Sequence, residues 1–322
     1  MEQKFISLLL LTNLVIMVKV ERVHSGIDQI KIEKSNINSV YIVHGSEKRL
    51  MIESSFSAEL KPLLNGLKKL GLTIEDIDYF ATTHVHLDHC GAVGHLCQLN
   101  SNLRVFVNEL GAHHLTSPDK LNASAERAYG ADVFPMFGKL LPVPSNQLTA
   151  VKEGDVINIG DKNLKVYYTP GHAKHHVCYF IEKEKVLFTG ELLGKISSHI
   201  LSKQDYPLVE AAAPEYDPPS LFNSIERMRE LKPNLLLFTH SGPLPPELNE
   251  TIFEKYIQEN KLFLKEIKAI LQVNKNLNGI EILEKIKDKI PSIERFYRYN
   301  YSAFRWGCNA MKYYIIKNNL IE

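Results

Sequence analysis

Residues 83–91 read THVHLDHCG, which sets His84, His86, Asp88 and His89 within six positions. They follow Asp78–Thr83 (DYFATT), a short run with the composition of a buried strand. A chain with this feature must end a sheet strand where other elements can meet four polar side chains. Imidazole nitrogen and carboxylate oxygen are ligands that zinc, iron and manganese accept. On an extended loop His84 and His86 point the same way, because strand side chains alternate. Asp88 and His89 follow a bend and face a second point. One metal rarely needs four such residues so close together, whereas two adjacent metals do.

Three more candidate ligands stand at the ends of predicted strands. His172 follows strand 163–168 in YYTPGHAKHH, Glu191 follows strand 185–189 in VLFTGELLG, and His240 follows strand 234–239 in LLLFTHSG. Strand ends that deliver ligands to one rim are how a sheet scaffold builds a metal site. The remaining pattern is mixed. Residues 37–53 predict two strands about a polar turn, 57–70 a helix stopped by Gly71, 92–99 a helix and 103–107 a strand. Residues 111–147, with Pro118, Pro135, Pro142 and Pro144, read as a helical insert and a candidate lid. Strands return over 150–190, a helix covers 221–231, and the chain is helical from about residue 246. The fold class is α/β, with helices covering sheets.

THVHLDHCG, TPGH, TGE and the final TH, in that order, resemble the HxHxDH motif and later motifs of the metallo-β-lactamase-fold hydrolases, over roughly residues 37–245. The resemblance implies an αββα sandwich with a two-metal site on the rim between the sheets. It implies that His84, His86 and His172 hold metal 1 and that Asp88, His89 and His240 hold metal 2. Glu191 stands where the family usually has a bridging Asp. Its side chain is one methylene longer, so it bridges, binds one metal only, or shifts the preference toward iron. Ile52-Glu53-Ser54-Ser55 stands where many relatives have an IDTG-like turn, which makes Glu53 a supporting residue. The implied cofactor is two divalent metal ions, zinc first, with iron or manganese as alternatives. The implied activity is metal-dependent hydrolysis of a small ester, lactone, thioester or phosphoester, with Asp88 as catalytic residue orienting the nucleophile. An iron-dependent redox protein acting on oxygen or a sulfur compound is the second reading, and a non-catalytic binding protein on a retained fold the third.

Around these ligands lie weaker candidates. His175 and His176 are outer donors, substrate contacts, or residues merely exposed where a strand begins. Lys195, Ser197 and Tyr206 border the site and are candidates for binding an acyl oxygen or carboxylate, against the plainer reading of ordinary loop residues. His113 and His114 read as surface residues and Cys90 as a small buried thiol. The apolar VFPMFGKLLPVP segment suits a partly hydrophobic small substrate.

Lys plus Arg total 38 against 37 Asp plus Glu, so nothing in the charge calls for a nucleic-acid partner. Only 48 residues separate Glu191 from His240, too few for the extra domain of the family's RNA-cleaving members. The flavin-linked iron branch typically carries Glu in the second motif position, where this chain has His86. Four cysteines without a CxxC pair suit a reducing cytoplasm. Residues 5–18 (FISLLLLTNLVIMV) are apolar but shorter than the about 20 residues of a membrane span. A cleaved signal, a packed segment and a start at Met17 are the readings for this N-terminal segment, 1–20. The expected organisation is a catalytic domain over 21–245 and a helical extension over 246–322 packed on it. In the aromatic stretch 295–314, Phe296, Tyr299, Phe304 and Met311 fit one helix with an apolar stripe, used for core packing or a homodimer.

Overall fold

The computed structural model describes residues 17–33, 37–196, 207–297 and 301–321. Most of the apolar N-terminal run lies outside these residues, as do Ser197, Tyr206 and Tyr299. Strands β1 (Met17–His24), β2 (Ile27–Glu33), β3 (Ile37–His44), β4 (Arg49–Ile52), β5 (Tyr79–Ala81), β6 (Arg104–Asn108) and β7 (Leu148–Val151) form one sheet in chain order. The first four pair antiparallel, and β4 through β7 pair parallel. The second sheet holds β8 (Val156–Asn158), β9 (Asn163–Tyr168), β10 (Val177–Ile181), β11 (Val186–Gly190), β12 (Leu235–Phe238) and β13 (Gly242–Pro243), in the order 13-12-11-10-9-8. In it only β11 and β12 pair parallel.

Both faces of the central strands are buried. Tyr41 and Val43 of β3 face the other sheet, while Val40 and Ile42 face the outer helices. In β10, Val177, Tyr179 and Ile181 face inward and Cys178 and Phe180 outward. Strands covered on both sides need apolar residues at every position, which is why they read as unbroken apolar runs. Helices α1 (Leu60–Lys69), α2 (Leu87–Cys90) and α3 (Val93–Leu99) cover the first sheet. Helix α1 sits close: a Cβ on its Gly66 would stand 2.2 Å from Ile30 Cγ2.

The segment 111–147, expected as an insert, instead connects two hydrogen-bonded parallel strands, β6 and β7. A parallel pair cannot be joined by a tight turn and needs a crossover. This one runs through α4 (Glu109–Thr116) and α5 (Asp119–Tyr129), then buries Phe134, Leu140 and Val143 against the sheet's outer core. Helices α6 (Pro218–Glu230), α7 (Asn249–Val273), α8 (Gly279–Ile286), α9 (Pro291–Phe296) and α10 (Tyr301–Lys317) cover the second sheet. Phe296, Phe304 and Met311 are buried in that layer as the stripe predicts, but on two helices rather than one. Both helices dock on the same core, so one apolar spacing serves both. Among the described residues no helix is long and apolar enough to cross a membrane.

The pairing directions bring the C-terminal ends of β4, β5, β11 and β12 to one edge of the sandwich. There the sheets are stitched together: Val177 N donates to Thr83 O at 2.8 Å, Ser39 N to Thr239 O at 2.7 Å, and Tyr179 Oη to Thr82 O at 2.8 Å. The candidate ligands lie on this edge.

Candidate metal centre

The turn after β5 is not an extended loop. Thr82 Oγ1 donates to His84 O at 2.7 Å, and α2 starts at once, with His86 O accepting from His89 N at 3.0 Å. His84 and His86 still converge, through unlike nitrogens: His84 Nε2 and His86 Nδ1 are 2.9 Å apart. His172 Nε2 lies 3.1 Å from the same His86 Nδ1. The helical turn carries Asp88 and His89 toward a second point. Asp88 Oδ2 lies 3.7 Å from His89 Nε2 and 3.3 Å from His240 Nε2.

Glu191 lies between the two groups. Its Oε2 stands 2.6 Å from His172 Nε2 and 3.4 Å from His84 Nε2, while Oε1 stands 3.0 Å from His240 Nε2. The seven side chains thus form two clusters that share Glu191: His84, His86, His172 and Glu191, and Asp88, His89, Glu191 and His240. Within each, one ligand atom per residue lies within 4.8 Å of the others. Glu191 follows Gly190, whose φ is +53° and whose Cβ would stand 2.6 Å from both His176 Nε2 and Thr83 Oγ1. A glycine there lets the longer carboxylate start from a backbone pressed against its neighbours.

Surrounding groups fix the rings. Thr83 Oγ1 donates to Glu53 Oε1 at 2.6 Å, which leaves its lone pair for His84 Nδ1 at 3.1 Å. His172 Nδ1 donates to Glu210 O at 3.0 Å. Both rings therefore turn an Nε2 lone pair toward the cluster, the arrangement typical of metal-ligating histidines. Glu53 adopts a left-handed φ of +67°, and its Oε2 lies 2.9 Å from Thr82 Oγ1. Its Oε1 is 3.2 Å from His89 Nδ1, a charge contact lacking hydrogen-bond alignment. Both nitrogens of buried His89, and Nδ1 of His240, have no hydrogen-bond partner among the described residues.

Burial and neighbouring imidazoles push His86 down to about 3 and His84 well below the usual range. Burial also lowers His172 and His240, but carboxylates override it. Glu191 lifts His172 to about 9, and Asp88 with Glu191 lifts His240 to about 10. Burial raises Glu191, and His172 and His240 more than reverse that, holding it well below the carboxylate range. His84 and His86 stay neutral, Asp88 and Glu191 stay ionised, His172 and His240 hold protons where they meet those carboxylates, and the buried His89 nitrogens find no hydrogen-bond partner among the described residues; a cation that displaced the protons would complete these bonds. The donor set fits divalent cations.

Two of the weaker candidates are buried rather than exposed. His176 is fully buried; its Nδ1 meets Thr169 Oγ1 at 2.8 Å and its Nε2 accepts from Glu191 N at 3.1 Å, so it supports the Glu191 turn. His175 Nδ1 accepts from Val85 N at 3.4 Å, and its Nε2 lies 3.6 Å from Glu215 Oε2 beside the opening. Its ring centre is 6.0 Å from that of His86. His113 is exposed, while His114 is half-buried with its ring 6.2 Å from His175. Lys195 is buried close enough to Glu210 and His240 to act on their charge. Cys90 is fully buried, with burial raising its thiol pKa well above the usual value. Sequence reading missed Glu210, which acts through a backbone carbonyl and so leaves no residue-type signal.

Comparison with known proteins agrees with this geometry. A 27% identical stretch of 260 residues, 79% of this chain and 89% of the other, is shared with the metallo-β-lactamase fold-containing protein of Sulfurisphaera tokodaii. An acyl-coenzyme A thioesterase of Gallus gallus is 26% identical over 231 residues, 63% of this chain and 80% of that protein. The crystal structure of a metallo-β-lactamase family protein from Thermus thermophilus superposes with a TM-score of 0.68 at 20% identity, covering 92% of this chain and 95% of that one, a likeness of fold. The sequence profile of the metallo-β-lactamase superfamily matches residues 33–240, and the chain belongs to that superfamily.

Proposed function

We propose that the protein is a hydrolase that uses two divalent metal ions, zinc first among the candidates, to cleave a small thioester or related ester. The observation that carries this reading is the pair of clusters sharing Glu191, with one oxygen turned to each. When bound, two such metals supply Lewis acidity and lower the pKa of water toward neutrality. His84, His86 and His172 would hold one, Asp88, His89 and His240 the other, with Glu191 between them. Asp88 keeps 17% of its side chain exposed, so its carboxylate can accept a hydrogen bond from the attacking water and orient it. Val85 N–H occupies His175 Nδ1, so Nε2 is the nitrogen free to carry a proton, and it faces Glu215 Oε2 at 3.6 Å. The thioester class is favoured by the relative named as an acyl-coenzyme A thioesterase.

The test combines metal content by mass spectrometry with turnover of an acyl-coenzyme A and a p-nitrophenyl ester. About two zinc or manganese per chain and turnover lost in His86→Ala and Asp88→Ala, with folding intact, is the expected result. Iron with oxygen consumption and no hydrolysis would replace this reading with the redox one.

A further inference from the structure

The superfamily match ends at residue 240, yet the C-terminal helices reach the metal centre. The chain leaves β11 through Glu191 and comes back through Glu210. The neck of this excursion is closed by two backbone hydrogen bonds, Lys195 N to Leu208 O at 3.1 Å and Leu208 N to Lys195 O at 2.8 Å. Tyr256 of α7, fully buried, touches both sides of the neck. On one side is Gly194, with φ +65°; a Cβ there would stand 2.5 Å from Tyr256 Cε2 and 2.2 Å from Leu208 O. Any larger residue would displace the ring or open the neck. On the other side Glu210 N donates to Tyr256 Oη at 3.4 Å.

Each side leads to a ligand. Gly194 N donates to Glu191 O at 3.1 Å, closing the turn from which the Glu191 carboxylate extends. Glu210 O accepts from His172 Nδ1 at 3.0 Å, setting the plane of that imidazole. One turn along α7, Asn260 donates to Tyr256 O at 2.9 Å and accepts from the Tyr216 hydroxyl, tethering the chain beyond Glu210.

We propose that Tyr256 is a positioning residue of the metal centre: by holding Gly194 and Glu210 at a fixed spacing, it sets how the Glu191 carboxylate and the His172 imidazole face each other. The helical tail is then part of the site as well as a cover for the second sheet. This inference rests on the reading that the two clusters hold metal. Groups that orient a ligand from behind typically govern metal affinity by about 10- to 100-fold.

The experiment measures zinc affinity of the full-length chain by competition with a chromophoric chelator, beside thermal unfolding. Tyr256→Leu removes both contacts and is expected to weaken zinc binding about 10- to 100-fold. Tyr256→Phe keeps the ring against Gly194 and loses only the acceptor for Glu210 N, so a smaller loss is expected. It also decides the matter if Tyr256→Leu does not fold. Ile282→Ala, a buried change in α8, is the control: it should lower the melting temperature and leave zinc affinity unchanged. Wild-type affinity in both Tyr256 variants overturns the proposal, as does an equal loss in Ile282→Ala, which would mean general loosening. A wild-type chain that takes up no divalent metal overturns the hydrolase reading along with it. Two metals in wild type with unaltered variants overturns this inference alone.

Discussion

The two ends of the sandwich are both polar, and they are built on opposite principles. At the far end, where β3 turns into β4, the least exposed charges meet opposite ones. Arg22 and His44 both bond Asp28, the latter at 2.8 Å; Lys48 meets Asp78 at 2.9 Å; Lys162 meets Glu184 at 3.1 Å. At the rim, imidazole nitrogens face one another at 2.9 and 3.1 Å, and three buried ring nitrogens have no hydrogen-bond partner among the described residues. A polar cluster that closes on itself contributes to folding. One that leaves buried groups unsatisfied costs stability and implies a further component that completes it.

The largest test of this contrast is Asp88→Ala. It removes a candidate ligand from the cluster of Asp88, His89, Glu191 and His240, so turnover should fall by about 10³-fold or more while the melting temperature stays within a few degrees. A stopped assay on folded variant checks it, and retained turnover would break the comparison at its main point. Next come two glycines. At Gly45 a Cβ would stand 1.9 Å from Ile159 O, and at Gly190 it would stand 2.6 Å from His176 Nε2. Either change to alanine should destabilise by about 2–4 kcal/mol in chemical denaturation. Only Gly190→Ala should also weaken metal binding, because of the two turns only that one carries a candidate ligand, Glu191.

Legibility in the sequence divides along the same line. Single histidines and carboxylates also end strands elsewhere, as His24, Glu33 and His44 do, so His84 to His89, His172, Glu191 and His240 are legible by their clustering and order. The strands around them were readable because double burial makes them continuously apolar, as in VCYFI of β10. What stayed hidden depends on backbone atoms or distant partners. Glu210 contributes a carbonyl, Tyr256 a ring edge against a glycine, and neither leaves a local pattern. The crossover 111–147 resembled an insert because its prolines and short helices mask the two parallel strands it joins. The far-end pairs were equally silent: Asp28 finds His44 sixteen positions away, across a strand pairing that charge order does not encode.

Glu53→Gln gives a finer test at the rim. The glutamine keeps the size; its oxygen can accept from Thr83 Oγ1 and its amide can donate to Thr82 Oγ1, but it loses the negative charge 3.2 Å from His89 Nδ1. Metal affinity should fall about 10-fold, toward the lower part of the range for groups behind a ligand. Chelator competition measures it. An unchanged affinity would make Glu53 a fastener of the turn and nothing more.

The smallest expected effect is at the far end, in Asp28→Asn. Burial alone raises the Asp28 pKa, but the hydrogen bonds from Arg22 and His44 outweigh it and hold the group below its ordinary value. A carboxylate depressed in the folded state stabilises the protein above its unfolded pKa of about 3.9 and loses that contribution as pH falls through the folded value. The variant should therefore be less stable than wild type near neutrality, by about 1 kcal/mol or less because Arg22 is 59% exposed. The gap should begin to narrow below about pH 4 and close as pH falls through the depressed folded value, where Asp28 takes up a proton and the ion pair is lost. Urea unfolding of the two chains across pH 3–7 reads it directly, and hydrolysis should not follow the mutation at any pH. A gap that widened on acidification would reverse the sign and show that Asp28 is held protonated. The far end would then share the unpaired burial that marks the rim, and the contrast between the two ends would fail.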